Sequence, residues 1–452
     1  MNIIIVGCGK IGTTLLSSLV AEGHDVTVID NNPNVVSEVT NIYDAIGVCG
    51  NGADCEILEE ASADKAELVI AATDSDELNM LSCFMAKRLG TEQTIARIRN
   101  PEYNDRSLGF IRQQLDLSMA INPELMAAKE LYSLLKLPSA AKVETFSVRN
   151  FEIIELKIKA DSPLDGMKLS DLRNKYKEQF LICAVGRGDE AYIPDGNFVL
   201  KSGDKIGLTA TRSEISKLLK SLGLLRKQAK NVMILGGSKT AFYLAKMLTA
   251  AGNSVTIIER KKSVCDALGE SVPKAVIING DGADQELLLE EGIKSVDAFV
   301  ALTGMDEANI LISSFASSQN VPKVIAKVNR DELIPLAEQW GLDCIISPKK
   351  LIADKLVQYA RALHNSQGSS VETLYKLMDD KVEVLEFSVK PDFPMIGIPF
   401  KDLKTKPNTL FAGIMRERKT LIPSGNDVLL AGDKVVVLAA NQRISTLSDI
   451  LK

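Results

Sequence analysis

Gly7, Gly9 and Gly12 stand in the spacing GxGxxG, written GCGKIG over residues 7–12, after an apolar run and ahead of a helical pattern. Each glycine has a separate task in a dinucleotide fingerprint. Gly7 permits a tight turn, Gly9 lets the backbone approach a pyrophosphate, and Gly12 lets helix pack on strand. A helix starting there offers unpaired N–H groups and the positive end of its dipole to phosphate. Cys8 and Ile11 complete the loop. Lys10 either neutralises terminal phosphate oxygens or is a solvated surface lysine. Asp30, 18 residues beyond Gly12, ends the second apolar run. There it would accept hydrogen bonds from an adenosine ribose and repel a 2′-phosphate, favouring NAD or an adenine nucleotide over NADP. An acidic helix-start residue is the alternative reading.

Further along, Thr73 and Asp74 follow an apolar run, at the edge where open α/β sheets bind ligands; simple helix capping ahead of Glu77 competes. Arg97 falls in a strand pattern, where an arginine is costly unless paired, so it belongs to a buried ion pair or reaches for phosphate. Asp74, Asp76 and Glu77 read as a solvated helix start rather than a metal site. Hydride transfer needs a proton donor or acceptor beside the nicotinamide, and the sequence offers poor candidates. Of only two histidines, His24 precedes the second strand on the side away from the glycine turn, and His364 falls in a linker. No cysteine–histidine or paired-carboxylate arrangement recurs. A cofactor site without a substrate site points to sensing.

The elements that must position these residues are written twice. Residues 7–30 align without gaps on residues 236–259, with nine of the 24 positions identical. In the same register VIAATDSDELN (69–79) matches FVALTGMDEAN (299–309), and IPDGNFVLKSGDKI (193–206) resembles IPSGNDVLLAGDKV (422–435). Each half is a long piece followed by a short one. In the long piece, apolar strands at Ile3–Val6, Val26–Ile29, Ala45–Val48, Leu68–Ala72, Thr94–Ile98 and Met119–Ile121 alternate with helices. This specifies a parallel sheet covered on both faces, the doubly wound arrangement. Glu124–Leu137 reads as a helix ended by Pro138, with Lys349–Leu363 as its counterpart. In the short piece Glu152–Ile158 alternates apolar with charged residues, Ser170–Lys177 is helical, and Leu181–Val185 and Lys205–Thr209 are strands.

The expected fold class is therefore α/β, with two Rossmann-like doubly wound parallel-sheet domains, each followed by a small α+β domain. The expected boundaries are 1–138, 139–226, 229–365 and 368–452. Residues 226–230, Leu137–Ser139 and Leu363–Gly368 read as linkers, the last two as hinges. In the second copy Gly236 and Gly237 remain, Ser238 and Ala241 replace the second and third fingerprint glycines, and Lys239, Thr240, Glu259, Thr303 and Lys327 complete the set. A Cβ at position 238 hinders close contact with pyrophosphate. The second site thus binds a nucleotide more weakly or differently, or is an empty structural copy.

Composition sets outer limits. At 452 residues, 46% hydrophobic and 25% charged, the chain is an ordinary globular one of about three domains. Its net charge of −6 argues against nucleic acid as partner. No apolar run reaches the roughly 20 residues that cross a bilayer, and Met1 leads straight into a strand, so a cytosolic, soluble protein is expected. Seven cysteines without a CxxC pair read as reduced structural thiols.

Taken in order, GxGxxG, Asp30, GADxxxL (52–58), AATDSDELN, ARIRNPEY (96–103) and IPxGxxxLxxGD, mostly repeated, closely resemble the tandem RCK (KTN, regulator of potassium conductance) family of Trk-type potassium-uptake subunits. The resemblance spans essentially the whole chain. It implies a cytoplasmic regulatory subunit on the cytoplasmic face of the membrane, bound to a potassium-translocating partner of the TrkH or TrkG type. It also implies NAD(H) in the first lobe, adenine nucleotides such as ATP or ADP as further ligands, and homo-oligomeric assembly into a gating ring. By position the nucleotide residues would be Gly7–Ile11, Asp30, Thr73, Asp74 and Arg97, then Gly236–Thr240, Glu259, Thr303 and Lys327. Two other readings stay open: a dehydrogenase using the small domain for substrate, and a regulator of another cation transporter.

Overall fold

The structure is a computed structural model that describes residues 1–452 except 104, 138, 141, 146–150, 226, 367–370, 379, 418, 445 and 452. The linker readings at Pro138, Arg226 and residues 367–368 therefore lie outside the described residues. In chain order the first half comprises β1 (Asn2–Val6), α1 (Lys10–Ala21), β2 (Asp25–Asp30), α2 (Pro33–Ile42), β3 (Ala45–Cys49), α3 (Cys55–Glu60), β4 (Leu68–Ala71), α4 (Asp76–Leu89), β5 (Gln93–Arg97), α5 (Asp105–Gln114), β6 (Met119–Ile121) and α6 (Pro123–Lys136). There follow β7 (Lys142–Thr145), β8 (Phe151–Lys157), α7 (Leu169–Lys175), β9 (Phe180–Arg187), β10 (Glu190–Tyr192), β11 (Lys205–Thr211) and α8 (Arg212–Ser221). The second half repeats the pattern with β12 (Asn231–Leu235), α9 (Lys239–Ala250), β13 (Ser254–Glu259), α10 (Lys262–Ser271), β14 (Val276–Asn279), α11 (Gln285–Glu290), β15 (Ala298–Ala301), α12 (Asp306–Ser318), β16 (Lys323–Lys327), α13 (Ile334–Gln339), β17 (Ile345–Ile346) and α14 (Pro348–Ser366). It closes with β18 (Val371–Leu377), β19 (Val382–Ser388), β20 (Thr409–Arg416), β21 (Lys419–Leu421) and β22 (Lys434–Ala440).

Two compact units emerge. The first gathers Met1–Lys129 with Ile346–Ala360. Its sheet runs β3-β2-β1-β4-β5-β6, and every pairing is parallel. This is the doubly wound order, whose switch point lies between β1 and β4. Residues 3–6 of β1 and all of β4 are buried, as strands covered on both faces must be. Helix α1 seals one face with Leu15, Leu16 and Leu19.

The second unit gathers Glu130–Ile345 with Arg361–Lys452. It holds a second six-stranded sheet, ordered β14-β13-β12-β15-β16-β17, and two five-stranded sheets, β10-β9-β11-β8-β7 and β18-β19-β22-β20-β21, whose strands pair antiparallel. The small domains share one apolar core, in which Phe151, Ile153 and Ala184 meet Leu377, Val384, Ala412 and Val436. A Cβ on Gly413 would sit 2.3 Å from the Phe151 ring, so glycine is what lets that ring enter.

The shared core buries both kinds of residue in the apolar–charged pattern read over Glu152–Ile158. All residues from Phe151 to Leu156 are buried, Glu152 and Glu155 included. Glu155 accepts a hydrogen bond from the Met378 N–H at 3.2 Å, and burial pushes the Glu152 carboxyl up despite Arg212 nearby. His364, read as a linker residue, falls inside α14. Strands β7 and β10 and helix α8 have no counterpart in the sequence reading.

Each small domain is locked by the same pair. Arg187 forks onto Asp204 through two 2.8 Å bonds, and Asp204 also accepts from the Lys201 N–H at 2.8 Å. Arg416 and Asp433 repeat this at 2.8 Å, with the Leu430 N–H as third donor. The aspartates are only 1% exposed, and their carboxylates hold both arginines above the usual guanidinium range. Such bidentate bonds are stronger than neutral ones. Asp204→Ala should therefore lower stability by about 1–3 kcal/mol in denaturant unfolding, since the fork is lost and a part-buried backbone donor is left unpaired. Asp433→Ala should cost a similar amount.

Candidate functional site

The glycine turn takes its shape from two steric limits. Gly7 has φ +92, and a Cβ there would lie 2.9 Å from the Thr73 backbone nitrogen. A Cβ on Gly12 would lie 1.9 Å from the Gly7 carbonyl oxygen. Gly9 differs: nothing lies within 4 Å of where its Cβ would be, so the space above it is open. Gly9 is the N-cap of α1 and supplies no side-chain cap. The donors of the first helical turn are left without an intrahelical partner, as at any helix start. Lys10 opens the helix and is exposed, and Ile11 is half-buried behind it.

Asp30 ties this turn to the end of β2. Its carboxylate accepts from the Cys8 N–H at 2.8 Å and from the Asn32 N–H at 2.9 Å. It does not cap α2, because Asn32 does, accepting from the Asn34 N–H at 3.0 Å. Two lone-pair positions of the carboxylate remain for further donors. Cys8 is buried, and desolvation together with the Asp30 charge pushes its thiol up to about 12, so it is a packing thiol and no nucleophile. All seven cysteines are free.

Across the switch point, Thr73 and Arg97 come together. The Thr73 N–H and hydroxyl both donate to the Asn79 side-chain oxygen, at 2.8 and 2.7 Å. Neither Thr73 nor Asp74 caps α4; Ser75 does, accepting from the Leu78 N–H at 3.1 Å. Asp74 is fully exposed and lies 4.0 Å from Arg97. Arg97 is 8% exposed, and its Nη1 donates to the Thr73 and Ala72 carbonyls at 3.3 and 3.4 Å. Its Nε finds no acceptor among the described residues. Burial, then the Arg99 charge, draws the guanidinium below its usual range.

The acidic cluster is corrected in part. Asp76 is buried, accepting from the Arg99 and Asn100 N–H groups at 2.9 and 2.7 Å, and so joins neither solvent nor a metal. Glu77 is exposed as expected, with its carboxyl held low by backbone donors, Ser75 and Tyr103. Among the described residues no group of acidic, cysteine or histidine side chains could hold a metal ion.

The second lobe keeps the frame and changes the rim. Gly236 has φ +94, and Glu259 accepts from the Gly237 and Lys261 N–H groups, each at 2.7 Å. Where Cys8 stands in the first lobe, Gly237 leaves room that Val264 and Leu268 fill, 2.7 and 2.9 Å from its absent Cβ. Ser238 caps α9, its hydroxyl accepting from the Ala241 N–H at 3.3 Å. A helix-start donor left open in the first lobe is thus taken here by the protein itself. Lys239 is exposed and Thr240 buried in the first turn of α9. Thr303 donates to Asn309 at 2.7 Å, and Lys327 ends β16 half-buried.

Asp76 and Asn79, with Asp306 and Asn309, were missed as a structural grip on the site. Their signal lay in the repeat itself, since both aligned segments carry Asp and then Asn three residues later.

Comparison with known proteins agrees with this architecture. The TrkA-N domain model matches residues 3–122 and 232–348, and the TrkA-C domain model matches 153–223 and 384–452. The Trk system potassium uptake protein TrkA of Haemophilus influenzae is 31% identical over 99% of this chain and 96% of its own length. That of Vibrio alginolyticus is 30% identical over 98% of this chain and 96% of its own. In fold, the structure titled GsuK channel bound to NAD aligns at a TM-score of 0.63 and 18% identity, over 97% of this chain and 76% of that one. With both domain types present twice and full-length similarity to named members, the chain belongs to the TrkA family of Trk-system potassium uptake proteins, as a regulatory subunit and not an enzyme.

Proposed function

We propose that this chain senses cytoplasmic nucleotides and passes that state to a membrane potassium-translocating partner of the TrkH or TrkG type. NAD(H) is the ligand the first lobe fits best, with ADP or ATP as further ligands. The observation that carries this reading is the open, uncapped start of α1 over Gly9, in a turn bonded to the Asp30 carboxylate at Cys8 and packed at Gly7 against Thr73, whose carbonyl holds the partly unpaired Arg97 guanidinium. The residues fit a dinucleotide on those grounds. The turn Gly7–Gly12 would cradle the pyrophosphate, Asp30 would take a ribose hydroxyl, and Lys10, Thr73, Asp74 and Arg97 would line the remainder.

The second lobe retains Glu259, Thr303 and Lys327, but Ser238 occupies a helix-start donor. It accordingly binds an adenine nucleotide more weakly, through Gly236–Thr240 on one side and Thr303 and Lys327 on the other. The bound ligand supplies no chemistry; its differential affinity for two conformations of a homo-oligomeric ring shifts their populations. A coupling of about 1–3 kcal/mol changes the ratio of the two conformations by roughly 5- to 150-fold. The chain works at the cytoplasmic face, held there by its partner. Among the described residues no helix is long and apolar enough to cross a membrane.

Two glycine variants test the reading. Gly9→Ala meets open space, so its stability should stay within about 1 kcal/mol of the parent, while ADP or NADH no longer raises its melting temperature. The parent at 100 Kd of ligand should gain about 2.7 kcal/mol. Gly12→Ala should lose stability as well as binding, because its Cβ would meet the Gly7 carbonyl at 1.9 Å. A Gly9→Ala chain that still gains full stabilisation would contradict the assignment. In reconstituted potassium flux, replacing Gly9 with phenylalanine should remove the nucleotide response while leaving basal flux.

A further inference from the structure

The first turn of α4 makes a set of contacts that the glycine-turn chemistry leaves unused. Asn79 is fully buried, 0% exposed. Its side-chain oxygen accepts from the Thr73 N–H at 2.8 Å and hydroxyl at 2.7 Å, and its amide donates to the Thr73 carbonyl at 3.1 Å and the Arg97 carbonyl at 2.9 Å. Both lone pairs and both N–H groups are used. Three residues earlier, Asp76 accepts from the Arg99 and Asn100 N–H groups at 2.9 and 2.7 Å. One helical turn therefore grips both the loop after β4 and the chain leaving β5.

Arg97 depends on that grip. Its Nη1 lies 3.3 Å from the same Thr73 carbonyl that Asn79 holds, and its buried Nε has no acceptor among the described residues. A dry N–H of a charged group is costly to leave unpaired. The carboxylates of Glu124, Asp74 and Asp76 all act on it, Glu124 most, but among the described residues only Asp74 comes within ion-pair distance, fully exposed at 4.0 Å, where water screens it. The guanidinium thus keeps capacity for an anion, and its strand end stays in place through Asn79.

The second half repeats the grip itself. Asn309 binds the Thr303 N–H, hydroxyl and carbonyl at 3.0, 2.7 and 3.3 Å and the Lys327 carbonyl at 2.9 Å. Asp306 accepts from the Asn329 and Arg330 N–H groups, each at 2.9 Å. The glycine turn of that half has changed to GGSKTA, yet the grip is intact. It is a device separate from the turn.

We infer that Asn79 is a positioning residue that holds Arg97 in reach of a phosphate group on the nucleotide, and that Asn309 holds Lys327 in the same way. The inference rests on the nucleotide reading above. Calorimetric titration of the full chain with ADP and with adenosine separates this role from mere helix packing. Asn79→Asp keeps the shape and both acceptors and removes both donors. It should weaken ADP about tenfold or more, the effect of losing one bond to a charged group, and leave adenosine within about twofold. Arg97→Gln should show the same selective loss, and the double variant should be no weaker than Arg97→Gln alone. Losses that multiply in the double variant, or adenosine falling in step with ADP, would overturn the inference. Should Asn79→Asp not fold, Asn79→Ser takes its place under the same criteria. An unchanged ADP-to-adenosine ratio in Arg97→Gln overturns it whatever becomes of Asn79. A parent chain that binds neither ADP nor NADH refutes the nucleotide reading itself, and this inference with it.

Discussion

In each lobe a carboxylate at the end of the second strand accepts the backbone N–H of the glycine turn, Asp30 from Cys8 at 2.8 Å and Glu259 from Gly237 at 2.7 Å. That bond fixes where the first helix begins relative to two strands, and the open donors of the turn follow from it. The remaining geometry is steric. Gly7 and Gly12 touch Thr73 and each other so closely that only hydrogen fits at either Cα. The cradle is therefore rigid where it meets the sheet and open where Gly9 faces outward. A rigid pocket with one open side can report occupancy without performing a reaction.

The two lobes show how such a site is retuned without disturbing the fold. Sheet order, the end-of-strand carboxylate and the asparagine grip are the same in both. What changes is the helix cap: a serine hydroxyl takes the Ala241 N–H that has no such side-chain partner at the equivalent Gly12. A phosphate would have to compete with that hydroxyl.

Much of this was legible in the sequence. Continuous apolar strands alternating with helices fix a doubly wound sheet, and the strand boundaries fall within one or two residues of those read from the pattern. Helices α6 and α14 were equally plain. The small domains were read less well. The apolar–charged pattern of Glu152–Ile158 gave no sign that a second small domain would cover β8, because no local pattern encodes a partner such as Met378, 223 residues beyond Glu155. Asp76 looked solvated for the same reason: its partners are backbone N–H groups of Arg99 and Asn100, which carry no residue signature. Arg97 was flagged because charge in a strand is conspicuous. Asn79, which organises its surroundings, is an ordinary polar residue in a helix and drew no notice.

Amide hydrogen exchange of the full chain, with and without saturating ADP, tests the central claim most directly. The account predicts slowed exchange in three separate stretches of the first lobe, residues 7–13, 73–79 and 97–100, with a weaker effect at 236–241. Unchanged exchange in all of them, or protection confined to the small domains, would contradict it.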